Sequence, residues 1–341
     1  QALKLNVFGS QNWGAHLTGE GGVASVGDNK EEDVVTIKQL YATNGTAEDD
    51  LNKDRLHFAN NYTGATTVTN VTLNLERETS LGTSGILTAD NANIVEVKKG
   101  ALGELTEIDF TNTMLKTAGT PLVVLGNATF AGANVLDVTE SFEVEGVADV
   151  KSGSLTTGKA AFKAGTLELG DKLGGAELTE LTASSVKVTG NSTVSGTNNT
   201  VNASAFSTNS LLLNETGALT ATGSVTANSA DLKGGSISAK ALGIGELVLS
   251  GANTISTDTG ATVTGDVSLV EGVSLGVNRG KFAAGANVTV ASGAELHVAD
   301  ALTVKGTLTL VSSDFKKDNF VVGTLKVGEK LAFEGNSFED G

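Results

Sequence analysis

Four glycine-led segments recur at a nearly fixed interval, and nothing else in the sequence constrains the fold as tightly. Gly245-Glu246-Leu247-Val248-Leu249 is followed by Gly265-Asp266-Val267-Ser268-Leu269. Gly285-Ala286-Asn287-Val288-Thr289-Val290 and Gly306-Thr307-Leu308-Thr309-Leu310 come next. Their apolar pairs, 247/249, 267/269, 288/290 and 308/310, advance by 20, 21 and 20 residues. A second series, Ile255, Leu275 and Leu296, follows six residues behind Leu249, Leu269 and Val290. Glycines 251, 272 and 293 form a third series. Three series moving together mark a repeat architecture, in which each unit buries its apolar face against the next.

The period and the residue types select among repeat folds. Within each segment apolar and polar residues alternate with period two, the pattern of a strand, and Gly, Thr, Asn and Val are poor helix formers. The L-x-x-L-x-L-x-x-N pattern of leucine-rich repeats is absent. At about 3.3 Å per residue, one period traces a perimeter of roughly 65 Å, enough for a three-sided coil of short strands. These features predict an all-β chain folded as a parallel β-helix, a solenoid with a coil of about 20–21 residues. Toward the N-terminus the inward pairs are expected at 73/75, 95/97, 123/125, 142/144, 167/169, 186/188 and 211/213, in steps of 19 to 28 residues. Longer steps imply loops that leave the coil at its corners. Between residues 213 and 247 the register is ambiguous.

One stretch shows how a corner is built. In Asn60-Asn61-Tyr62-Thr63-Gly64-Ala65-Thr66-Thr67-Val68-Thr69-Asn70-Val71-Thr72-Leu73-Asn74-Leu75 the apolar parity slips between Val68 and Val71. Asn tolerates the left-handed backbone region, so Thr69-Asn70 is predicted to end one strand and reset the phase of the next. The elements Tyr62-Thr63-Gly64, Thr66, Val68, Leu73 and Leu75 resemble the passenger-associated transport repeat of bacterial autotransporters, Y-T-G-x-T-x-V/I-x-x-G-x-L-x-L. The likeness covers about fifteen residues, with Asn70-Val71 standing where that repeat carries Gly before its first Leu. It implies a right-handed β-helix, export across the outer membrane to the cell surface, and a C-terminal β-barrel translocator encoded in the full-length gene.

The organisation expected along the chain is a cap or irregular first coil over 1–27, a β-helix over 28–310, and a last coil, cap or continuation over 311–341. The first segment holds Trp13, Phe8 and His16; the last offers Leu325/Val327 and Leu331/Phe333 as further rungs. Glu31-Glu32-Asp33 and Glu48-Asp49-Asp50 read as acidic loops.

Composition narrows the function. The chain has 341 residues with 43 Gly, one Pro, one Trp, no Cys and a net charge of −16. So acidic a surface repels nucleic acid and anionic membranes, and without cysteine neither disulfides nor thiolate metal sites can form. A shared carboxylate pair for acid/base work is not expected, because Glu246 and Asp266 have Ala286 and Thr307 as their assigned coil equivalents. The histidines at 16, 57 and 297 are too far apart in coil number to meet, and His297, between inward Leu296 and Val298, is expected to face solvent. Gly174-Gly175-Ala176 and Gly234-Gly235-Ser236 lack the Gly and Asp that complete a calcium-binding nonapeptide. No catalytic, metal-binding or cofactor-binding residue is assigned. The expectation is a non-enzymatic, adhesin-type surface protein binding a host or neighbouring-cell protein or glycan, with self-association possible. The alternative is a self-assembling surface-layer or filament subunit.

Overall fold

The computed structural model describes residues 3–7, 9–13, 17, 19–28, 33–37, 60, 62–76, 81–173, 177–311 and 319–335. Every regular element among them is a β-strand, and the strands pair in parallel as stacked coils of a β-solenoid. The chain divides into two compact units, Gln1–Gly165 and Thr166–Gly341.

In the first unit one stack runs through Val23–Val26, Thr66–Thr69, Ile86–Asp90, Glu107–Thr111 and the start of Ala128–Asp137. Its rungs are Val23↔Thr66, Thr66↔Leu87, Leu87↔Ile108 and Ile108↔Ala128. A second stack joins Val35, Leu73, Ile94, Leu115 and Leu136. Among the described residues a third begins at Leu122–Val124, which pairs with Ser141–Thr156 through Leu122↔Phe142 and Val124↔Val144. Side chains alternate across the strands, so the inward set is buried and the outward set is largely Thr, Asn and charge, with Ile86, Met114, Val123 and Val135 as apolar exceptions. Asn70 takes φ 54° and ends the strand Thr66–Thr69 as the sequence predicts; Val68, Val71, Leu73 and Leu75 are all buried around it.

The interior of this unit holds an aromatic series among its aliphatic rungs. Phe110, Phe130, Phe142 and Phe162 are fully buried and meet in series, with ring centroids 6.1, 6.0 and 5.4 Å apart. The first two contacts are edge-to-face, the arrangement that ring quadrupoles favour.

The second unit has an aliphatic interior with isolated phenylalanines. Its regular part carries the rungs Val267↔Val288↔Leu308 and Leu269↔Val290↔Leu310, as expected, and Leu269 has no solvent exposure. Leu325 and Val327 pair with Leu302 and Val304, and Leu331 and Phe333 with Leu308 and Leu310, which makes this segment a further coil. The ambiguous stretch resolves into shortened coils. Leu213↔Leu232 spans 19 residues, Leu232↔Leu249 only 17, and Ile237↔Ile255 18. A period of 20–21 could not be extended through them.

Three register expectations are corrected. The inward residues of Asn93–Glu96 are Ile94 and Glu96 rather than Val95 and Val97; Val97 is 53% exposed. Leu122 and Val124, not Val123 and Leu125, face the core of the next coil. Leu275 pairs with Asn253, and Ile255 pairs two residues later with Val277. In the first two cases apolar residues occupy both parities of the strand, so alternation could not choose a face. In the third, a buried asparagine holds a position that hydropathy would give to an aliphatic residue.

Candidate binding site

The buried Glu96 explains the most irregular part of the first unit. It ends its strand on the inward face and is only 5% exposed. Its Oε1 accepts hydrogen bonds from the backbone N–H groups of Gly100 and Leu102 at 3.0 and 3.3 Å. Its Oε2 accepts one from Ala118 N–H at 2.9 Å. An inward carboxylate is tolerated only when such donors compensate its lost hydration. The consequence is geometric, because one side chain ties two loops, 97–104 and 117–121, that belong to successive coils.

Each loop has its own internal support. Ala101 N–H donates to the Lys98 carbonyl and Gly103 N–H to that of Gly100, closing two tight turns. The Thr117 hydroxyl donates to the Thr120 carbonyl at 3.2 Å, and Thr117 N–H is held by the Asp137 carbonyl. Between the loops lies a cleft of ≈ 310 Å³ whose walls include Lys99, Glu104, Thr120, Pro121, Val123 and Leu125. That volume is at the small end of the roughly 300–1,000 Å³ typical of ligand pockets. Val123 and Leu125 are about two-fifths exposed. Met114 and Val135, rung partners on a neighbouring face of the same unit, also point outward. The shift of parity at Leu122–Val124 that the sequence misassigned is what turns apolar residues toward solvent here.

Tyr62 is buried, and its phenol oxygen lies 2.6 Å from Thr66 Oγ1. Desolvation by burial raises its pKa above the ordinary 10.0, with the Thr66 hydrogen bond opposing. A Cβ on Gly64 would fall 2.2 Å from the nitrogen of Gly22, so the Tyr-Thr-Gly segment is a close-packed coil corner. Asp33 directly precedes the strand Val34–Ile37 and is buried, its oxygens accepting from Gly9 and Asp28 N–H at 2.7 and 3.0 Å. Phe8, His16, Glu31, Glu32, Glu48, Asp49, Asp50 and His57 lie outside the described residues. His297 faces outward, on the rung Gly276↔His297↔Val321.

No family model, curated protein or solved structure matches this chain. The fold is therefore carried by the geometry alone. Asp266 aligns with Asn287 and not with Ala286: its Oδ1 accepts from Asn287 N and Nδ2 at 2.9 and 3.0 Å. Asn287 Oδ1 in turn accepts from Thr307 N–H at 2.9 Å. The carboxylate is thus part of a ladder that fastens successive coils. Among the described residues no group of three or more His, Cys, Asp or Glu is placed to hold a metal ion. The Glu96 cleft was not legible beforehand; the available signal was the chain's single proline at 121, next to a four-residue apolar run.

Proposed function

We propose that the chain acts by binding and not by catalysis, as an adhesin-type β-solenoid presented at a bacterial cell surface. The observation that carries this reading is the Glu96-anchored cleft, where a solenoid wall turns Val123 and Leu125 outward beside Lys99. Loops held on a rigid scaffold are where recognition concentrates, because they vary without disturbing the core. The partner on this reading is a protein or glycan of a host or neighbouring cell. Support for export is the likeness of Tyr62–Leu75 to the autotransporter transport repeat; a β-barrel encoded downstream in the same gene would accord with it.

The test is adhesion of the purified full chain to cells, compared with Lys99→Glu and Leu125→Asp variants whose melting temperatures match the parent. Saturable binding that falls about tenfold in the variants is expected. Undiminished binding in both variants, or multiple-turnover cleavage of a polysaccharide, overturns the reading.

A further inference from the structure

The cleft contains an open strand edge. Leu122–Val124 is bonded on one side to Ser141–Thr156 along its full length. On the other side its only link among the described residues is the isolated parallel bridge Leu105↔Val124, with Leu125 N–H donating to the Leu105 carbonyl at 2.9 Å. Backbone groups of an extended strand alternate in direction, so the Val123 N–H turns the same way as that of Leu125, toward the preceding coil. There the loop 97–104 stands away, and no backbone bond from it to Val123 N–H is present. Among the described residues the third stack therefore starts at this strand, and the space before it is the cleft. Pro121, which has no N–H to offer a neighbour, begins the exposed edge, as prolines at sheet edges do.

We propose that the cleft binds an extended polypeptide segment by strand addition, the segment pairing with the Val123 N–H in front of Pro121–Val123, ahead of the Leu105↔Val124 bridge. Recognition by addition to a free edge takes affinity from main-chain bonds and specificity from alternate side chains. Here the alternation is set by the walls. Side chains pointing inward meet Leu102 and Leu122 and must be apolar; those pointing outward lie beside Val123 and Lys99. In a chain of net charge −16, Lys99 is, among the described residues, the one cationic residue lining the cleft, with Glu104 also in its wall, so the segment carries a carboxylate where it passes Lys99. This inference rests on the binding reading above and specifies its partner as protein, not glycan.

The probe is acetyl-Glu-Val-Thr-Val-Glu-amide, whose centre copies the rung Val288–Val290, labelled and titrated against the full chain by fluorescence polarisation. Two N-methylated versions separate the backbone faces: one blocks the amides that would face Val123, the other blocks the opposite set. Saturable binding is expected, lost by more than about tenfold with the first N-methyl set and kept with the second. Val123→Pro should abolish it, and Lys99→Glu should weaken it about tenfold; if the proline variant does not fold, the N-methyl pair decides. Equal effects of the two N-methyl sets overturn strand addition. So does failure of the probe to bind while cells are still bound in a Lys99- and Leu125-dependent way, which leaves the binding reading standing. Loss of neither cell nor probe binding in the Lys99 and Leu125 variants overturns both.

Discussion

The asparagine corners of the first unit and the glycine corners of the second make the same turn with different side chains. In the first unit the left-handed position is held by Asn70, Asn91 and Asn112 at φ 54°, 47° and 46° before Gly132 and Gly153 take it over at 67° and 83°. Their carboxamides bind along the stack: Asn91 Nδ2 donates to Asn70 Oδ1, and Asn112 Oδ1 accepts from Ala133 N–H, both at 2.9 Å. In the second unit the position belongs to Gly234, Gly251, Gly272 and Gly293 at φ 71°, 68°, 78° and 74°. There Asn253 ties the corner from inside, as Asn134 does beside Gly132 in the first unit, and the Asn253 Oδ1 accepts from Gly234 and Gly235 N–H at 3.0 and 3.2 Å. Its Nδ2 donates to the carbonyls of Ser250 and Gly251 at 3.0 and 3.2 Å. Asparagine reaches the left-handed region at some conformational cost and offsets it with a side-chain bond; glycine reaches it freely but needs a neighbour to fix it. The aromatic series, the inward Glu96 and the cleft all belong to the unit with the asparagine corners.

The largest expected effects test the cores. Leu269→Asp buries an unpaired carboxylate in the second unit and should cost several kcal/mol, whereas the outward Ser268→Asp should cost little. Equal losses in denaturant unfolding would show the rung to be one residue out of register. In the first unit Phe130→Ala should cost about 3–5 kcal/mol. Phe130→Leu separates the two interiors more sharply. Phe130 contacts both Phe110 and Phe142, whereas Phe282, equally buried, belongs to no ring series among the described residues. Each ring pair contributes roughly 0.5–1.5 kcal/mol beyond burial, so Phe130→Leu should exceed Phe282→Leu by about 1–3 kcal/mol. Indistinguishable losses would mean that the aromatic series is packing alone.

The buried acceptors come next. Glu96 meets three N–H donors and needs only to accept, whereas Asn253 must accept and donate at once. Reciprocal isosteric changes should therefore both destabilise. Glu96→Gln turns an amide donor or a weaker acceptor toward three N–H groups, and Asn253→Asp sets a carboxylate against two carbonyls. Hydrogen bonds to charged groups contribute about 1.5–3 kcal/mol each, so each swap should cost at least about 2 kcal/mol. Amide exchange gives the local readout: Gly100, Leu102 and Ala118 lose protection in Glu96→Gln, and Gly234 and Gly235 in Asn253→Asp. Unchanged exchange at these amides would rule out the anchoring role of the side chain.

What could be read beforehand follows the same division. The regular rungs Val267–Leu310 were legible because strictly alternating Val, Leu, Ser and Thr leave one choice of face. The corner at Asn70 was legible because a parity slip beside an asparagine has one mechanical cause. Ile94-Val95-Glu96-Val97 was not, since the face was chosen by three amide donors in later loops that hydropathy does not register. Leu122-Val123-Val124-Leu125 offers two equal faces, and pairing with Phe142 and Val144 decides between them. The cleft is the joint product of those two choices. It stayed hidden for the same reason they did.

The corners themselves should respond more weakly and unequally. A Cβ on Gly272 would meet nothing within 4 Å, so Gly272→Asn should cost no more than about 1 kcal/mol. Gly132, at φ 67°, is different: its Cβ would fall 2.1 Å from Asn112 Oδ1. Gly132→Asn should cost more than Gly272→Asn, and adding Asn112→Gly should recover part of the loss. Strict additivity in that double-mutant cycle would show that the asparagine stack does not set the clash.

The smallest expected effect is a titration confined to the first unit. Burial raises the Tyr62 pKa above 10.0 in the folded chain, while the unfolded chain titrates near the ordinary value. A raised pKa means that folding favours the neutral phenol. The associated stability is complete below pH about 10 and is lost as pH rises through the folded-state value. Tyr62→Phe removes the titration and the Thr66 contact together, lowering stability by about 1 kcal/mol at neutral pH. The parent should therefore lose its advantage over Tyr62→Phe progressively above pH 10. Tyr41, the other tyrosine, is left in place in both proteins, so its contribution cancels in the difference. Parallel stability curves for the two proteins from pH 8 to pH 11 would show that Tyr62 ionises as readily folded as unfolded, and that the corner around Gly64 and Gly82 admits water.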